Sequence, residues 1–89
     1  MQVTIEFSSQ LKRAAGQRDI KINVPAGATV SDAAQTIAEN IPATKPFLLN
    51  DAGQMQPSLI LFHGDDQITP EFPLQDGVHI LILTPISGG

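Results

Sequence analysis

Residues 2–8, QVTIEFS, alternate strictly: Val3, Ile5 and Phe7 fall on one side, Gln2, Thr4 and Glu6 on the other. A period of two is the mark of a strand with one buried face. The pattern returns in DIKINV, which groups Ile20, Ile22 and Val24. The intervening SSQLKRAAGQR is polar and reads as a connection with one helical turn ending at Gly16, so the two strands form a hairpin with a long loop. PAGAT breaks the second strand. Beyond it Val30, Ala33, Ala34, Ile37, Ala38 and Ile41 recur at helical spacing, which predicts an amphipathic helix over residues 30–40. Thr29 as N-cap with Asp32 in the first turn marks its start, and Pro42 its end. ATKPFLLNDAGQMQP reads as loop, with Phe47, Leu48 and Leu49 plugging an edge of the core. Three strands follow: SLILFH, a short one after the GDD turn, and VHILILT launched by PLQDG.

The order β-β-α-β-β-β with one principal helix predicts an α+β fold, a mixed four- to five-stranded sheet with that helix packed on one face. The opposite face is then left to water or to a partner. On the last strand, polar His79 sets Val78, Ile80 and Ile82 inward and leaves Leu81 and Leu83 outward. The same reasoning sets Ile60 and Phe62 inward and Leu59, Leu61 and His63 outward. Leu59, Leu61, Leu81 and Leu83 would then form an apolar patch of roughly a few hundred Å², a size that marks an interaction site. The alternative is that the Phe47–Leu49 segment covers them.

Eighty-nine residues, 42% apolar and 16% charged, suit one globular domain. The chain has no cysteine, which excludes disulfides, thiolate metal sites and a cysteine nucleophile. No apolar run approaches the ~18–20 residues that span a bilayer. MQVTIEFSSQ lacks the basic and then apolar layout of a signal peptide, so a cytoplasmic protein with no membrane partner is expected. The net charge is −4, and all five Lys and Arg residues precede position 46. Asp51, Asp65, Asp66, Glu71 and Asp76 are left unbalanced. Clustered positive charge for nucleic acid is missing. The acidic C-terminal half suits a basic partner surface, or serves solubility alone.

Candidate chemistry within the domain is sparse. His63, Asp65 and Asp66 are ligand types, but Gly-Asp-Asp is ordinary turn chemistry, and no metal site is assigned. His79 reads as a strand-surface histidine, and Ser8, Ser9 and Ser87 have no partnered base at recognisable spacing. What remains is the end of the chain, TPISGG. Residues 1–83 read as the domain and 84–89 as a flexible Gly-Gly tail. Six extended residues reach about 20 Å. Glycines at 88 and 89 can thread a narrow channel in a partner. Ordering such a tail costs ~1–2 kcal/mol per residue, which docking at the apolar patch would offset. The Gly89 carboxylate is the one group here that can be activated without help from its own protein.

LKRAAGQRDIKINVPAGATVSDAAQTIAE resembles the Leu-x-x-x-x-Gly loop, second strand, P-x-G-x-T-V turn and helix of the β-grasp sulfur carriers. PLQDGVHILILTPISGG resembles their P-L-x-D-G-D turn, last strand and P-P-V-x-G-G tail. This MoaD/ThiS-type family includes the small subunit of molybdopterin synthase and the thiamine-pathway carrier, structural relatives of ubiquitin. The resemblance covers nearly the whole chain. Val78 stands for the second aspartate of D-G-D, Thr84 for the first tail proline, and HGDD at 63–66 for the usual Asn-Gly hairpin.

The resemblance implies that an ATP-dependent adenylating enzyme (MoeB/ThiF-like) activates Gly89, with Gly88 beside it. A sulfur donor then converts the acyl-adenylate to a thiocarboxylate. In the molybdopterin pathway, the tail inserts into the synthase large subunit (MoaE-like), and the carrier acts as a non-catalytic subunit with no bound cofactor. Partner contacts would come from Leu59, Leu61, His79, Leu81, Leu83, Pro85, Ile86 and Ser87. The loop and the chain length lean towards the molybdopterin type. Alternatives are a carrier for thiamine or another sulfur metabolite, a ubiquitin-like modifier joined to lysines through Gly89, and a plain binding module.

Overall fold

The structure is a computed structural model and describes residues 1–85. Strands β1 (Gln2–Phe7) and β2 (Asp19–Asn23) pair antiparallel, with Val3 opposite Ile22 and Ile5 opposite Ile20. On its other side β1 runs parallel to β5 (His79–Leu83). Strand β3 (Ile60–His63) pairs antiparallel with β5 and with β4 (Asp66–Ile68). The sheet order is therefore β2-β1-β5-β3-β4. The final strand is central, and the last described residues leave from the middle of the sheet.

The principal helix, α2 (Val30–Asn40), forms where its stripe requires. The Thr29 hydroxyl accepts from the Asp32 amide at 3.3 Å, and the Asp32 carboxylate accepts from the Thr29 amide at 2.9 Å, so the cap is reciprocal. Val30, Ala33, Ala34, Ile37 and Ala38 are buried in one core with Val3, Ile5, Phe7, Ile80 and Ile82. Alanine at three of those helix positions lets backbone and sheet approach closely.

Three expectations are corrected. The β1–β2 connection holds a seven-residue helix, α1 (Ser9–Ala15), rather than one turn. It buries Leu11, and Gly16 at φ 74° closes it, donating its amide to the carbonyls of Lys12 and Arg13. The segment after Pro42 is not open loop: a 3₁₀ turn (Pro42–Thr44) leads into α3 (Lys45–Leu48), and Thr44 and Leu48 are fully buried. One helix therefore undercounts the helical layer. Strand β3 has the opposite facing: Leu61 is 3% exposed in the core, whereas Ile60 is 36% exposed and Phe62 half-buried. Pairing sets this, because Leu61 lies opposite Ile82, and residues in register share a face. Leu59 precedes the strand and packs partly buried against the core.

Candidate functional site

The face opposite the core is built by β5 and its neighbours. Leu81 and Leu83 lie there half-buried, as expected. Their cross-strand partners are Phe62 and Ile60, so the apolar patch is Ile60, Phe62, Leu81 and Leu83. Leu59 and Leu61 do not belong to it. Towards β1 the same face turns polar: Thr4 stands opposite His79 and Glu6 opposite Leu81. His79 Nε2 lies 2.8 Å from Glu6 Oε1, with both side chains open to solvent. The open face therefore presents a compact apolar area edged by a carboxylate–imidazole pair. Only antiparallel pairing of β3 with β5 in this register would have revealed Ile60 and Phe62 from the sequence. The apolar run from Leu59 to Phe62 carries no phase of its own.

The root of the tail lies at the end of β5. Thr84 is 8% exposed, and its hydroxyl donates to the Ser8 carbonyl at 3.3 Å. Ser8 in turn donates to the Ile82 carbonyl at 3.4 Å. Both bonds are long for hydroxyl donors and individually weak. Burial nonetheless puts Thr84 in the scaffold, one residue beyond the expected boundary. The corner it meets is strained, because Ser9 at φ 50° is the one non-glycine residue with positive φ among the described residues. Pro85 is exposed. The expected site residues Ile86, Ser87, Gly88 and Gly89 lie outside the described residues.

Among the described residues, no group of three or more His, Asp or Glu side chains comes together to hold a metal ion. His63 instead stacks near Phe72, with ring centroids 5.2 Å apart. Also among the described residues, no helix is long and apolar enough to cross a membrane.

The fold is shared with solved structures of low sequence identity. SAMP1 from Haloferax volcanii superposes with a TM-score of 0.90 at 21% identity, each chain fully covered. Small archaeal modifier protein 1 from Methanosarcina acetivorans gives 0.83 at 23% identity, covering 99% of this chain and 96% of that one. A candidate molybdopterin converting factor subunit 1 from Pyrococcus furiosus gives 0.76 at 18%, covering 97% and 99%. At such identities the likeness is one of fold, the ubiquitin-like β-grasp. No curated protein sequence matches the chain. The sequence model of the ThiS family matches residues 5–89, nearly the whole length and through both final glycines, and the chain belongs to the ThiS family.

Proposed function

We propose that the protein is a sulfur carrier whose Gly89 is adenylated, converted to a thiocarboxylate and used to donate sulfur in molybdopterin biosynthesis. The observation that carries this reading is the extent of the family match, which runs on through Pro85-Ile86-Ser87-Gly88-Gly89. The Gly89 carboxylate attacks the α-phosphate of ATP in the adenylating partner and releases pyrophosphate. A sulfur donor then displaces AMP from the acyl-adenylate. The resulting thiocarboxylate is anionic at neutral pH and nucleophilic, so the scaffold need supply no general base. Its task is docking, for which the patch of Ile60, Phe62, Leu81 and Leu83 is suited. The synthase large subunit is the receiving partner in this reading, supported by the LKRAAG segment at 11–16 and the length of the chain.

A second reading, a protein modifier joined to lysine amines through Gly89, is favoured by the likeness to the small archaeal modifier protein. It shares the adenylation step and differs in the acceptor. Intact mass spectrometry of the protein from its native host separates the two. A mass gain equal to one oxygen replaced by sulfur supports the carrier. A ladder of covalent adducts that vanishes when Gly89 is deleted supports the modifier. A wholly unmodified terminus, with no adducts, would remove both.

A further inference from the structure

Strand β2 lies at an edge of the sheet, beside β1. Met1 and Val24 exchange both of their backbone bonds at 2.9 Å, and Phe7 donates to the Arg18 carbonyl at 2.8 Å. Bonded pairs alternate along an antiparallel ladder, so residues 18, 20, 22 and 24 turn their backbone groups towards β1. Asp19, Lys21 and Asn23 turn theirs outward, to the free edge. The other edge strand, β4, has three residues against five in β2, so β2 is the longer template for a further strand.

The side chains at the outward positions are poorly matched within their own chain. Asp19 stands opposite Glu6, a like charge, and its near cation is the adjoining Arg18, 3.8 Å away on a side chain 73% exposed. Lys21 stands opposite Thr4 and is exposed. An acid and a base two residues apart on one edge are self-complementary in antiparallel pairing, and the complement depends on register. A two-fold pairing centred on Lys21 sets lysine against lysine, and one centred on Ile22 sets Lys21 against Asn23. Centred on Ile20, it sets Asp19 of each copy against Lys21 of the other. We infer that β2 is a dimerisation edge, pairing antiparallel with β2 of a second copy in the register centred on Ile20. Asp19 and Lys21 then join the copies through backbone bonds and through charge. A lysine on an edge ordinarily keeps other strands away; here the aspartate two residues before it admits one partner in one register. The apolar patch on β3 and β5 is beyond β1 and stays uncovered. The two β5 strands are then five strand spacings apart, roughly 24 Å. Contact is confined to one strand per copy, so the association is weak and depends on concentration.

The chain has no cysteine, so one introduced thiol reports the register. Ile20→Cys brings two thiols together across the two-fold, with Cα atoms about 4.5 Å apart, and mild oxidation of the full-length chain is expected to trap a disulfide dimer. Lys21→Cys meets its own copy only in the slipped register and is expected to cross-link at least about tenfold more slowly. Sedimentation of the parent chain from about 10 μM to about 1 mM is expected to show monomer and dimer in equilibrium. Lys21→Asp and Asp19→Lys should each raise the dissociation constant about tenfold, and the double swap should restore it to within a few-fold. The far-UV spectrum of the dilute protein stays that of the parent in each variant. A parent chain monomeric at the highest concentration, or a double swap that restores nothing, overturns the inference. So does equal cross-linking at positions 20 and 21, or growth past the dimer, which would give the edge to β4 of the next copy.

Discussion

Leu61 and Phe62 are neighbours in the chain but stand on opposite faces of the sheet, and their truncation should separate core from surface. Leu61→Ala removes a 3%-exposed side chain opposite Ile82 and is expected to cost about 2–4 kcal/mol. Phe62→Ala removes a half-buried ring from the open face and should cost about 1 kcal/mol. Urea denaturation of both variants checks the pair, and a larger loss for Phe62→Ala than for Leu61→Ala would return β3 to the facing expected from its sequence. That expectation failed for a physical reason. Every position from Leu59 to Phe62 is apolar, so alternation cannot phase the strand, and the polar residues at its two ends, Ser58 and His63, mark opposite faces. His63 shares a side with Leu61 but sits at the strand end, where it is exposed and lies against Phe72. Its polarity reflects distance along the strand rather than face. On β5 the marker is His79, paired with Glu6 on the open face, and there the same logic identified Leu81 and Leu83.

Helices were legible in proportion to their length and their caps. α2 has eleven residues, a continuous apolar stripe and a reciprocal Thr29–Asp32 cap, so its bounds follow from the sequence. α1 offers one large apolar residue, Leu11, and begins at Ser9 in a left-handed conformation with no side-chain cap from Ser8. α3 has four residues, too few to display a period, and Pro46 inside it reads as a breaker although proline is tolerated in a first turn. What stabilises these two is tertiary: Leu11 and Leu48 fill the core beside α2. The cap on α2 is therefore the place where local chemistry should be measurable by itself. Thr29→Ala loses the hydroxyl that accepts from the Asp32 amide and is expected to cost about 1 kcal/mol, or about 4–8 °C of melting temperature in a domain this size. Thr29→Ser keeps the hydroxyl and should restore most of the difference. A thermal melt of Thr29→Ala that overlays the parent would show that packing alone fixes the start of α2.

At the scale of the molecule, the described residues form one continuous core. Residues from Val3 to Ile82 supply every member of the buried apolar cluster among the described residues, and β5 is locked between β1 and β3 before the chain reaches Pro85. The β-grasp architecture and the diglycine end were both legible in the sequence, because each is written locally, in alternation, in a capped helix and in residue type. The composition of the apolar patch was not, because it depends on which strands become neighbours. Docking and chemistry should therefore come apart experimentally. Leu81→Asp places a carboxylate in the middle of the apolar patch, next to Glu6 across the β1–β5 pairing. Buried under a partner, that charge would be desolvated beside a like charge, so affinity for the adenylating enzyme is expected to fall at least about tenfold. In the free protein Leu81 is half-buried on the open face rather than in the core, so the fold should survive with a modest loss in melting temperature. Deleting Gly88 and Gly89 should do the reverse: affinity measured by calorimetry stays within a few-fold of the parent, and ATP–pyrophosphate exchange is abolished. A deletion that costs as much affinity as Leu81→Asp would mean that the arm shares the docking energy with the open face. If Leu81→Asp instead leaves affinity unchanged while the deletion lowers it, the arm alone does the docking and the open face loses its assigned role.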